Sequence, residues 1–225
     1  AIIDTLAHQV LKHPRIRTFE DHLAIKLITH ENHCCGAMVF DEQENIISSF
    51  IANNTILATG GASGIFKHTT SDSLQSGSGI AMASHENGQT NNMEFHQFHP
   101  TRFYHKDSPP FLITEALRGE GARLTLPDGR AFLHQYDSRE ELSPRDIVSR
   151  AMNQEIIKHQ LDHLILNISQ QPSAKIRNLF PSIAKHCAKY HIDITTDPIP
   201  VVPAAHYTCG GIQTDLDGKT SINNL

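Results

Sequence analysis

Tryptophan is absent from the 225 residues and aromatics make up only 6% of them, which leaves little stacking surface for a single-stranded nucleic acid. Basic charge is not in excess either. Nineteen Lys and Arg against 24 Asp and Glu give a net charge of -5, which argues against the basic face of a nucleic-acid binder. No run approaches the roughly 18 apolar residues that span a bilayer, so no membrane partner is expected. Four cysteines (Cys34, Cys35, Cys187, Cys209) are too few and too irregularly spaced for a disulfide framework or a zinc knuckle. A reducing, cytoplasmic location is their simplest reading. The opening residues lack the apolar centre of a signal peptide.

What is present is ordinary for a globular chain: 39% hydrophobic and 19% charged residues exclude a disordered or fibrous protein. The length suits one large domain or two small ones. The chain begins without Met and reads as an internal portion of something longer. Sixteen histidines are many, but most stand singly in polar context as ordinary surface or core side chains.

Apolar residues at Ile2, Ile3, Leu6, Val10 and Leu11 predict a helix over 2–12, closed by Pro14. Strands are expected at 15–19 and 23–28, and at 37–40 and 46–51 as a hairpin about the polar run Asp41-Glu-Gln-Glu-Asn45. A further apolar strand over 54–59 runs into Gly60-Gly61, where the backbone can turn sharply or approach a ligand closely. Gly77-Ser-Gly79 then opens a helix over 80–84, whose unpaired N–H groups favour an anion such as phosphate. Paired glycines after a strand describe a plain turn equally well. No Gly-x-Gly-x-x-Gly opens a βαβ unit, so the main phosphate loop of a dinucleotide site is expected outside this sequence.

Beyond residue 95 the texture changes. Segments 123–126 and 130–133 flank Pro127-Asp-Gly129 and should pair as a hairpin. Ser143 as cap, Pro144 at the first helical position and Asp146 three residues on predict a helix start. Another helix is expected over about 173–190, an extended run over 198–203, and a hairpin around Asp217-Gly218. Polar groups gather beside the tight turns of this half: His99, Thr114, Glu115, Arg118, Arg145 and His206. Arg offers a planar fork to a carboxylate, and His or Thr a single directed hydrogen bond, so the set suits a substrate bearing carboxylates. Plainer readings stand beside this one: a solvated Arg145, and Glu115–Arg118 as an ordinary i,i+3 helical pair. His96-Gln-Phe-His99 lacks an adjacent acidic or Cys ligand, so no metal is expected.

Five motifs carry a family resemblance: ATGG at 58–61, QFHPT at 97–101, LITEALRGEGA at 112–122, LSPRDIVSRAM at 142–152 and PAAHYTCGGI at 203–212. Their order and spacing, over nearly the whole chain, are similar to the flavoprotein family of fumarate reductase, succinate dehydrogenase and L-aspartate oxidase. Within it, the Cys of His206-Tyr-Thr-Cys-Gly-Gly211 and the run IPVVPAAHY at 199–207 resemble the L-aspartate oxidase branch more than the respiratory dehydrogenases. The resemblance implies an α/β fold: a partial, Rossmann-like FAD-binding domain over 1–96, a dicarboxylate capping domain of α+β type over 97–205, and a return to the FAD-binding domain over 206–225.

The resemblance also implies FAD as cofactor, with Ala24, Thr59, Gly60, Gly61, Gly77 and Gly79 lining it. His99, Thr114 and His206 would hold the carboxylates of L-aspartate, fumarate or succinate. Arg145 would transfer a proton at the reacting carbon, with Glu115 and Arg118 relaying it to solvent. A guanidinium is ordinarily fully protonated, so this role is chemically demanding; the positive end of a Ser143-capped helix offers a partial rationale. The activity implied is oxidation of L-aspartate to iminoaspartate with oxygen or fumarate as acceptor, functionally linked to quinolinate synthase on the route to NAD. Where the family usually has Gly-Asp-Gly, this chain has Gly77-Ser78-Gly79, which removes one carboxylate acceptor. The 225-residue polypeptide alone is therefore expected to bind FAD poorly and to be inactive by itself.

Overall fold

The apolar period at the start of the chain and the alternating runs after it give a mixed α/β architecture in a computed structural model that describes residues 2–71 and 74–225. In chain order the elements are α1 (Ile2–Lys12), β1 (His22–His30), β2 (His33–Asp41), β3 (Ile46–Ile51), α2 (Ser78–His85), β4 (Thr90–Asn91), β5 (His96–Phe103) and α3 (Ala116–Gly119). They continue as β6 (Arg123–Thr125), α4 (Arg145–His159), β7 (Leu164–Asn167), α5 (Ser173–Leu179), α6 (Pro181–Ala188), β8 (Ile199–Thr208) and β9 (Gly211–Ile212). Among the described residues no helix is long and apolar enough to cross a membrane. All four cysteines are free.

By compactness the chain forms two units. The first takes the residues up to Ala58, Ala81–Gln89 and Ile212–Leu225. Its sheet runs β1-β2-β3, antiparallel throughout. Glu31 and Asn32 turn β1 into β2 with φ of 47° and 61°, the left-handed pair that matches strand twist in a two-residue hairpin. Asp41 accepts the backbone N–H groups of Gln43 and Glu44 at 2.9 and 3.1 Å, which closes the second turn as its polar sequence implied. Leu27, Cys34, Met82, Ala83, Ile222 and Leu225 form a small buried core. Helix α1 forms as expected, yet none of its residues is buried.

Three expectations in this unit fail for identifiable reasons. Residues 15–19 join no ladder, because Phe19 spends its apolar ring edge-on against Phe50 under the Arg17 guanidinium. Residues 54–58 run without a strand partner, held by one backbone bond from Thr55 to Asn224 at 2.9 Å. The Asp217-Gly218 turn forms, but Asp215 accepts the N–H groups of Asp217 and Lys219 itself, so its hydrogen bonds are local and no flanking strands pair.

The second unit takes Thr59–Ile80 and Thr90–Gly211. Its four-stranded sheet runs β5-β8-β7-β6, with every neighbouring pair antiparallel. Buried side chains at Val148, Ala151, Met152 and Glu155 mark one face of α4 at helical spacing, while Leu164 and Leu166 alternate inward along β7. Of these, Val148, Ala151, Met152, Leu164 and Leu166 join Phe103, Ile113 and Leu117 in the main core. The 59–80 segment belongs here because it is laced to β8: Thr70 donates its N–H to Ala205 at 2.9 Å and Ala205 donates back to His68 at 2.8 Å.

Three expectations are corrected in this unit. The Pro127-Asp-Gly129 turn closes (Gly129 N to Leu126 O, 2.9 Å), but its arms meet only at the Thr125–Ala131 bridge, since β6 pairs with β7 instead. Residues 173–190 form two helices, because Pro181 supplies no N–H to continue α5 and is well suited to start α6. Helix α4 starts at Arg145 with Pro144 as its N-cap residue and no side-chain cap, so Ser143 does not cap it.

Candidate active site

Strands β5 and β8 carry the two imidazoles. His99 stands opposite Ala204 in a ladder with irregularities on both sides of it, and its ring centroid lies 5.4 Å from that of His206. His99 is fully buried. Its Nδ1 accepts the backbone N–H of Thr101 at 3.2 Å, so the neutral ring carries its proton on Nε2, an atom with no hydrogen-bond partner. Burial, reinforced by the positive field of Arg145, by His206 and by Arg118, pushes the His99 pKa down to about 3 against the opposing pull of Glu115. The His206 pKa is lowered as well, first by burial and then by Arg145, and its Nδ1 lies 2.7 Å from Thr70 Oγ1. Both rings are therefore neutral near pH 7.

The second group is cationic and anionic in alternation. Arg145, the first residue of α4, donates Nε–H to Glu115 Oε2 at 2.6 Å and Nη1–H to Gln97 Oε1 at 3.2 Å. The other Glu115 oxygen lies 3.7 Å from Arg118 Nη2, so the ordinary i,i+3 pair exists but the shorter bond goes to Arg145. The hydrogen bond from Arg145 holds the Glu115 carboxyl below its usual range, with burial acting against it. Arg118 is almost wholly buried and donates Nη1–H to the Glu141 carbonyl at 2.5 Å. Desolvation lowers its pKa while Glu115 opposes. Thr114 directly precedes Glu115 and follows Ile113, which Thr101 clasps through both its carbonyl and its hydroxyl. The Thr114 hydroxyl takes the N–H of Ala116 at 3.4 Å.

An open cavity of about 710 Å³ adjoins this group through Gln97 and Arg145, with Phe66, His68, Phe98 and Ser149 among its other walls. His99, Thr114 and His206 do not line it. The structure thus brings the imidazoles together, and Arg145, Glu115 and Arg118 together, with the field of Arg145 acting on both rings. Among the described residues no three His, Cys, Asp or Glu side chains gather as a metal would need.

Thr59, Gly60 and Gly61 lie in an irregular segment tied to Gly77, whose N–H donates to the Gly61 carbonyl at 3.1 Å. Gly61 has no room for a Cβ, which would stand 2.6 Å from Thr208 Oγ1, and a Cβ on Gly79 would overlap the Thr59 side chain. Close approach of protein segments thus demands glycine at both positions. The leading N–H groups of α2 have no intrahelical partner and the Ser78 hydroxyl accompanies them, a donor set that fits the phosphate and hydroxyl groups of FAD. Ala24 lies on β1 in the first unit, half-buried against the core around Leu27 and Cys34.

Sequence reasoning missed Gln97, Thr101 and Thr70 as members of this arrangement. Gln97 and Thr101 sat inside the QFHPT run, which was the available signal. Nothing in the sequence joined Thr70 to His206, 136 residues away.

The model of the FAD binding domain family matches residues 1–225. The chain belongs to that family. Two relatives of this FAD-binding domain are L-aspartate oxidase 1 of Ralstonia nicotianae, 48% identical, and L-aspartate oxidase of Pseudomonas aeruginosa, 44% identical, each over all of this chain and 43% of the relative. A quinol fumarate reductase structure from E. coli superposes with a TM-score of 0.88 at 30% identity, covering all of this chain and 41% of the other. The expected kinship with fumarate reductase flavoproteins, the α/β fold and FAD as the family's cofactor are borne out. This FAD-binding domain chain spans less than half the length of the relatives it matches.

Proposed function

We propose that the full-length protein is an FAD-dependent oxidoreductase that converts L-aspartate to iminoaspartate, with oxygen or fumarate accepting the electrons. The observation that carries this reading is the Arg145–Glu115–Arg118 chain, 2.6 and 3.7 Å across its two links, beside two neutral imidazoles. A diacid is acceptor-only when ionised, and His99 has a donor Nε2–H left without a partner. In this reading His99, Thr114 and His206 hold the two carboxylates. Arg145 exchanges a proton with the substrate, Glu115 relays it over their 2.6 Å hydrogen bond, and Arg118, 3.7 Å from the other Glu115 oxygen, is the next group on the way to solvent. FAD, when bound, would supply the hydride acceptor. Ala24, Thr59, Gly60, Gly61, Gly77 and Gly79 are the residues here that would hold it.

The functional division into FAD-binding segments over 1–96 and 206–225 and a capping segment over 97–205 belongs to the same reading, as do a cytoplasmic location and a link to quinolinate synthase. Support for the substrate comes from the 48% and 44% identity to proteins named L-aspartate oxidase. The superposition on fumarate reductase supports a second reading, a fumarate reductase or succinate dehydrogenase flavoprotein. Turnover of the full-length enzyme separates them: activity on succinate with none on L-aspartate overturns the first. Arg145→Leu is expected to abolish turnover with flavin stoichiometry unchanged, and surviving activity would remove Arg145 from the role given to it.

A further inference from the structure

Thr70 stands next to the proposed substrate-binding imidazole without belonging to any motif. Its segment is laced to β8 one residue before His206, by the Thr70 N–H to Ala205 and the Ala205 N–H to His68 at 2.9 and 2.8 Å. That anchoring brings Thr70 Oγ1 within 2.7 Å of His206 Nδ1 and 3.4 Å of the Ala205 carbonyl. A hydroxyl has one proton to donate. The Ala205 contact is at the far limit of hydrogen bonding, and that carbonyl already accepts the Thr70 N–H. The shorter contact favours donation to Nδ1.

We infer that Thr70 is a positioning residue for substrate binding, its hydroxyl fixing His206 as the tautomer that keeps its proton on Nε2 for a substrate carboxylate. The inference rests on the proposed carboxylate role of His206. His99 reaches the same state by another route, since a backbone N–H can only donate and Thr101 thereby makes His99 Nδ1 an acceptor. Two rings on adjacent strands are thus set as matching neutral donors, one by a backbone amide and one by a hydroxyl brought from a distant segment. A ring of the opposite tautomer would present a lone pair to a carboxylate oxygen and repel it.

The test uses the full-length flavoprotein, with fumarate binding followed by calorimetry from pH 5.5 to 8 and L-aspartate turnover measured alongside. Thr70→Val keeps the shape and removes the hydroxyl, and Thr70→Ser keeps the hydroxyl. At pH 7.5 Thr70→Val is expected to weaken fumarate binding roughly three- to tenfold, with the loss in turnover falling on KM rather than kcat, while Thr70→Ser binds as the parent does. The valine variant should regain affinity as pH falls through the histidine range, because protonation restores a donor at Nε2 whichever tautomer preceded it. Binding by Thr70→Val equal to the parent, or a serine variant as weak as the valine one, overturns the inference. Should Thr70→Val lose its flavin, Thr70→Ala takes its place under the same criteria. His206→Ala separates the two claims: no effect of that change overturns the carboxylate role itself, whereas a weakened His206→Ala beside an unaffected Thr70→Val overturns only the role of Thr70.

Discussion

His99 is a histidine that the fold holds neutral, and this makes stability depend on acid in a calculable way. Above the ordinary histidine pKa of about 6.5 the ring is neutral whether the chain is folded or unfolded, and the full stability is present. As pH falls below that value the unfolded chain gains a proton, while the folded chain, with the His99 pKa pushed down to about 3, does not. Stability is therefore lost with falling pH, at about 1.4 kcal/mol per unit once below the histidine range, and amounts to about 2 kcal/mol by pH 5. His68, His163 and His186 are also lowered, chiefly by burial, so the whole chain is more acid-sensitive than His99 alone makes it. A comparison with His99→Asn isolates the one residue, because the amide oxygen replaces Nδ1 as acceptor for the Thr101 N–H and does not titrate. Urea midpoints followed by far-ultraviolet circular dichroism suit a protein without tryptophan. The stability advantage of the parent over the variant should shrink by about 2 kcal/mol between pH 7.5 and 5. An advantage constant over that range would refute the neutral, desolvated state of His99.

Two further outcomes follow from contacts described above. Glu115→Gln removes the charge that Arg145 meets at 2.6 Å and that Arg118 faces at 3.7 Å. L-aspartate turnover of the full-length protein should fall by at least about 100-fold, with fumarate affinity far less affected; turnover near the parent's excludes Glu115 from proton transfer. Gly79→Ala places a methyl group on the Thr59 side chain and should destabilise the fold by about 1–3 kcal/mol. Because Gly79 does not have a positive φ, the cost is steric, and adding Thr59→Ala should recover most of it in a thermal melt. A double variant no more stable than Gly79→Ala would place the cost elsewhere.

Local pattern made some of the fold legible and hid the rest. The period of Ile2, Leu6 and Val10 announced α1, the run 46–51 announced β3, and the glycine-led Ile80-Ala-Met announced α2. β2 began four residues earlier than expected, because His33-Cys-Cys-Gly36 has no apolar alternation to reveal a strand. The partner of β6 was not readable at all: it lies some forty residues downstream in β7, and the strong turn signal at Pro127 pointed to the wrong arm. Site residues followed the same division. His99, Thr114, Glu115, Arg118, Arg145 and His206 were nominated through runs of neighbouring residues. What Arg145 and His206 actually touch was set by tertiary folding, with Gln97 arriving from 48 residues away and Thr70 from 136. The break before Pro181 was available in the sequence, since a proline has no N–H to continue α5 and suits the first position of α6.

Mounting both imidazoles on adjoining strands has a consequence for what this fold can come to accept. Spacing along a pleated ladder changes in whole residues, and a slip of one turns every side chain of that strand to the opposite side of the sheet. Under the proposed carboxylate role, a ligand a single bond longer is not met by nudging His99 away from His206. In the proposed role, accommodation falls to Thr114, which sits ahead of a four-residue helix, and to Arg145, which opens a helix whose first turn has no side-chain cap.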